Sequence, residues 1–84
     1  MVKKIKVTPF PMPYEKVTAQ TIGEIVRAQR TRLGLKQVEL AAIANLNIKT
    51  INSLENNNGS TLENTLHVLN GLGIKLTFEG LLDD

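Results

Sequence analysis

The chain has 84 residues, with no tryptophan, one tyrosine and two phenylalanines, so a single small core must come from Leu, Ile and Val. The absence of cysteine excludes disulfides, thiolate metal sites and cysteine nucleophiles. Net charge is +2 but uneven: residues 1–36 carry eight basic side chains against Glu15 and Glu24, whereas residues 37–84 carry Lys49 and Lys75 against six acids.

Residues 1–17 form an arm in which Pro9, Pro11 and Pro13 exclude a helix and favour an extended path. Before them Lys4-Ile5-Lys6-Val7-Thr8 alternates polar with apolar, the pattern of a short strand over 4–8. A strand of this length is not stable alone, so it is either disordered or paired. The start, MVKKIKVTPF, lacks the apolar stretch of a signal peptide. No apolar run approaches the roughly 20 residues of a membrane span. The expectation is a soluble, cytoplasmic protein. A basic half is compatible with a nucleic-acid footprint, and equally with a solvated helix face and a lysine-rich terminus.

Residues 18–73 read as a helical domain. The first helix spans about 19–33 with Thr18 as N-cap, although Thr21 and Glu24 offer a competing capping box. Ile22, Ile25, Val26 and Leu33 form its inward stripe, Arg27, Arg30 and Arg32 lie on more exposed faces, and Gly34 ends it. The second helix, 37–44, turns Leu40, Ala41 and Ala44 inward. Asn45 tolerates the left-handed backbone that a sharp turn needs, and Asn47 caps a third helix over 48–56. Ile51 and Leu54 face inward from that helix, and Leu46 plugs the corner. Two short helices joined this way describe a helix-turn-helix, whose second helix enters the DNA major groove.

After Asn56-Asn57-Asn58-Gly59, a strong turn signal, a fourth helix covers 61–72. Ser60-Thr61-Leu62-Glu63 fits a capping box, Leu62, Leu66, Leu69 and Leu72 recur at helical spacing, and Gly71 and Gly73 bracket the end. Residues 74–79 then alternate as a strand, with Ile74, Leu76 and Phe78 on one face, before an acidic tail over 80–84. A lone strand needs partners for its backbone and its apolar face. The same strand of a second copy supplies them about a two-fold axis. The reading is a homodimer with Ile74, Leu76, Phe78, Leu69 and Leu72 at its interface.

The chain resembles the Xre/Cro-type helix-turn-helix family, and within it the HipB-like antitoxins of type II toxin–antitoxin systems. The resemblance covers residues 18–79. It rests on Arg30, Gly34, Leu35 and Gln37 (Arg-x-x-x-Gly-Leu-x-Gln), on Leu40-Ala41, on Ile51, Leu54 and Glu55 (Ile-x-x-Leu-Glu), and on Thr61, Leu62 and Leu66. It implies a mostly α, four-to-five-helix, lambda-repressor-like domain whose C-terminal β-strand pairs in a homodimer. It also implies binding to a palindromic operator in its own promoter, and a HipA-type serine/threonine kinase toxin as partner. Two positions depart from the family. Lys36 stands where Thr or Ser usually caps the second helix, and Asn45 replaces the customary Gly.

With Ile51 and Leu54 inward, the third helix would present Asn47, Ile48, Lys49, Asn52 and Ser53 to the bases. Lys49 suits guanine O6 or N7, Asn52 suits adenine N6 and N7, and Ile48 suits a thymine methyl. Gln37, Lys36, Thr50 and Arg32 are the expected phosphate contacts. Arg30 is expected to form an ion pair with Glu55. His67 is the single histidine and no glycine-rich phosphate loop exists, so no catalytic site, metal or cofactor is expected. Two other readings compete: a stand-alone operon or prophage repressor, and a toxin-neutralising module with little DNA affinity that uses the arm or the surface around His67 and Asn70.

Overall fold

Four helices make up the regular structure of this computed structural model among the residues it describes, 5–10 and 17–77. They are α1 (Ala19–Arg32), α2 (Gln37–Ala44), α3 (Ile48–Glu55) and α4 (Leu62–Gly71), each end within one residue of its expected place. Side-chain oxygens start three of them. Thr18 Oγ1 accepts from Thr21 N–H at 3.1 Å, Asn47 Oδ1 from Lys49 N–H at 2.7 Å, and Thr61 Oγ1 from Asn64 N–H at 3.1 Å. The fourth cap is therefore one residue later than a Ser60–Glu63 box requires. Ser60 Oγ instead donates to the Thr61 carbonyl.

Lys36 precedes α2 and has no side-chain acceptor to offer. Glu39 compensates by reaching back, its Oε1 accepting from Lys36 N–H at 2.8 Å. A carboxylate at a helix N-terminus is electrostatically favourable and offsets the lysine.

All four helices end in the same closure. The N–H groups of Leu35, Leu46, Asn58 and Ile74 donate five residues back, to Arg30, Ala41, Ser53 and Leu69, at 3.0, 2.8, 2.8 and 2.9 Å. The residue before each donor is left-handed: Gly34, Asn45, Asn57 and Gly73, with φ between 57° and 74°. Asparagine thus does at two helix ends what glycine does at the other two.

Helix α1 packs on α3, and α2 packs across both α3 and α4. Val26, Leu40, Ala41, Ala44, Ile51, Leu54, Val68, Leu69 and Leu72 form the core, with Ile22, Leu35, Leu46 and Ile74 against its edge. At the α1–α3 crossing a Cβ on Gly23 would collide with the Leu54 carbonyl oxygen, so the two backbones approach to a distance that only hydrogen permits.

Burial corrects several expectations. Leu33 caps α1 from beyond its last turn and is 52% exposed. The inward stripe of α4 is Thr65, Val68, Leu69 and Leu72, while Leu62 and Leu66 face outward at 74% and 40% exposure. Leu69 and Leu72, expected at a dimer interface, are 4% and 3% exposed inside the chain's own core and have little surface left for a partner. Residues 74–77 form no ladder within the chain; Ile74 packs on the core and Leu76 is exposed. Phe78, Glu79 and the tail 80–84 lie outside the described residues, as does Lys4 of the expected strand 4–8. Residues 5–8 form no strand either. Thr8 N–H donates to the Thr31 hydroxyl at 2.9 Å instead, and Phe10 lies 5.5 Å beneath the Arg32 guanidinium, holding this segment against the end of α1.

Candidate functional site

The link Asn45–Asn47 and the packing of α2 on α3 decide which side of α3 remains open. With Ile51 at 0% and Leu54 at 6% exposure on the inner side, the opposite side presents Ile48, Lys49, Asn52 and Ser53. These four and Gln37 of α2 line one shallow, solvent-open hollow. Five of the nine positions expected to contact DNA therefore meet on one surface. Asn47 precedes Ile48 in the chain but does not line the hollow, and its side-chain oxygen is occupied in capping α3. Thr50 is half-buried on the same helix and Lys36 adjoins Gln37 in the chain. Arg32 is engaged with Phe10 of the arm.

Beneath the hollow lies a carboxylate with no exposed side-chain surface. Arg30 Nε donates to Glu55 Oε2 at 2.6 Å and Arg30 Nη2 to Oε1 at 2.9 Å, the two-point fork that guanidinium and carboxylate geometries favour. Arg27 Nε adds a contact to Oε1 at 3.2 Å, and Gln37 Nε2 donates to the same oxygen at 3.2 Å. Arg30 Nη1 further donates to the Leu35 carbonyl at 2.8 Å, and Arg27 Nη2 to Asn56 Oδ1 at 3.0 Å. The expected Arg30–Glu55 pair is present. Arg30, expected on a more exposed face, is buried by this pairing, and Arg27 is a second, more exposed partner. Its spacing of three from Arg30 was the available signal, since residues three apart share a helix face.

Gln37 changes role most. Its side-chain nitrogen, expected at a phosphate, is committed to Glu55, and its oxygen accepts from Asn52 Nδ2 at 3.4 Å. What remains for an anion at this end of α2 is the backbone N–H of Gln37 and Val38, since Glu39 N–H already bonds the Lys36 carbonyl at 3.1 Å.

Chemically the hollow offers amide donors and acceptors, a hydroxyl, an aliphatic side chain and the ammonium of Lys49. No carboxylate lines it. Glu55 is close in sequence, but its charge is enclosed by two guanidinium groups. A second, mostly apolar hollow lies between the start of α1 and the start of α4, lined by Ala19, Ile22, Leu54, Leu62 and Thr65 among others. Among the described residues no three His, Asp or Glu side chains cluster as metal ligands would, and no helix is long and apolar enough to cross a membrane. No protein-family model matches the chain, and no curated protein matches it.

Proposed function

We propose that the chain is a sequence-specific DNA-binding repressor in which α2 and α3 act as a helix-turn-helix and α3 enters the major groove. The observation that carries this reading is the carboxylate-free hollow where Gln37, Ile48, Lys49, Asn52 and Ser53 converge. Its groups match the edges of bases: ammonium for guanine, amide for adenine, aliphatic carbon for the thymine methyl. The N–H groups of Gln37 and Val38 beside it suit a backbone phosphate, opposed by the Glu39 carboxylate at the same helix end. A homodimer, paired through residues 74–79 with Leu76 exposed and available, would set two copies of α3 about 34 Å apart on a palindromic operator. The HipB-like resemblance extends the proposal to an antitoxin that represses its own operon and associates with a HipA-type kinase.

The test is fluorescence anisotropy with DNA from upstream of the native gene, using wild type and Lys49→Ala/Asn52→Ala. Sequence-preferring binding that the double substitution abolishes is the expected result. With six or more phosphate contacts, affinity should fall by about 10³ or more between 50 and 200 mM salt. Equal, weak binding to every duplex by both proteins sinks the reading.

One observation favours the protein-binding alternative. Helix α2 leaves Val38 and Ile43 exposed, at 56% and 53%, on either side of the strip that carries Glu39. If DNA binding fails, these two side chains become the first place to seek a partner.

A further inference from the structure

We infer that Glu55 and Gln37 are positioning residues that fix the orientation of the Asn52 side-chain amide, and that this orientation selects adenine over guanine at one base pair of each half-site. The inference rests on the DNA-binding reading above and adds a mechanism of specificity to it.

The argument starts at the buried end. The carboxylate of Glu55 only accepts hydrogen bonds. Gln37 must therefore face it with nitrogen, as the 3.2 Å contact from Nε2 has it, and must turn its oxygen away. That oxygen lies 3.4 Å from Asn52 Nδ2. The opposite orientation of Asn52 would set two carbonyl oxygens against each other. Glu55 cannot shift to relax this arrangement, because Arg30 grips both of its oxygens and Arg27 holds one from a second direction. A buried ion pair thereby determines the polarity of a surface amide two hydrogen bonds away.

The consequence is chemical. With one N–H of Asn52 held by Gln37, its outer edge offers the remaining N–H and the Oδ1 lone pairs in fixed order. Adenine presents an N7 acceptor beside an N6 donor in the major groove, which this edge complements. Guanine presents two acceptors, N7 and O6, and would set O6 against Oδ1. An amide free to rotate could turn both of its N–H groups toward N7 and O6; the held amide has one of them committed to Gln37 and cannot.

Gln37→Met tests the relay, since it keeps a long, helix-compatible side chain and both arginine contacts to Glu55 while removing the amide. Gln37→Leu serves as a second variant should the first not fold, with backbone amide NMR spectra as the check. Binding is measured against randomised duplexes. The expected outcome is that adenine-over-guanine preference at one position per half-site falls by about fivefold or more in Gln37→Met. In the free protein, the order parameter of the Asn52 side-chain amide should fall as well. A wild-type preference that survives Gln37→Met intact overturns the relay alone, as does unchanged Asn52 order. A wild type without any base preference overturns the relay together with the DNA-binding reading beneath it.

Discussion

The two sides of α3 live in opposite environments. Glu55 has no exposed side-chain surface and takes hydrogen bonds from Arg27, Arg30 and Gln37; Lys49, under two turns earlier, faces open solvent. The inner side is held by partners up to 28 residues distant in sequence. Among the described residues, the outer side has only the 3.4 Å side-chain contact between Asn52 and Gln37. A single short helix therefore carries stability on one face and leaves the other free for the recognition proposed for it. Substitutions on the two faces should separate folding from binding, and each prediction below tests that separation.

The largest effect belongs to Glu55→Ala. It leaves the Arg30 side chain, 11% exposed, with a charge it cannot discharge into water. Removing one member of a buried pair costs about 3–5 kcal/mol. Urea unfolding should show a much lower midpoint, and a loss under about 1 kcal/mol would mean that the pair is effectively solvated. Next comes Gly23→Ala, which forces a methyl group against the Leu54 carbonyl. Overpacking of this kind costs about 1–3 kcal/mol. In a domain this small each kcal/mol lowers Tm by about 4–8 °C, which calorimetry resolves.

These two residues also show where sequence reasoning stopped. The caps at Thr18 and Asn47 and the left-handed Asn45 were legible because each depends on neighbours within a few residues. The Arg30–Glu55 pair was legible only through a family resemblance. Gly23 was passed over, since its meaning lies in a backbone that arrives from 31 positions later. Helical spacing groups Leu62, Leu66, Leu69 and Leu72 without separating the exposed pair from the buried pair, because periodicity cannot say which of two adjacent stripes meets a neighbour. The burial of Leu69 and Leu72 leaves little room for the dimer interface that the lone-strand argument gives them. The hollow's members were named from the outward face of α3, but the reversal of Gln37 depends on a carboxylate 18 residues away and carried no local mark.

Asn47→Ala sits on the boundary between the two sides. Its side chain caps α3 through Lys49 N–H, so the loss should be about 1 kcal/mol. DNA affinity should fall only as far as α3 loosens. If affinity instead drops tenfold or more while unfolding is barely altered, Asn47 touches DNA directly and its cap is secondary.

Lys49→Ala should change stability least, within about 0.5 kcal/mol, as surface substitutions away from structural contacts do. Its backbone N–H still bonds Asn47 and alanine is the best helix former, so nothing in the fold resists the change. In DNA binding the same substitution should be among the most damaging, because it removes the hollow's cation and a guanine contact that contributes about 1–3 kcal/mol of discrimination. The pairing of results is what matters. A stability loss at Lys49 comparable to that at Glu55 would place both faces of α3 in the service of the fold and leave recognition without a surface. Unaltered stability with lost base preference would place recognition on the outer face, held in position by a carboxylate that never meets the DNA.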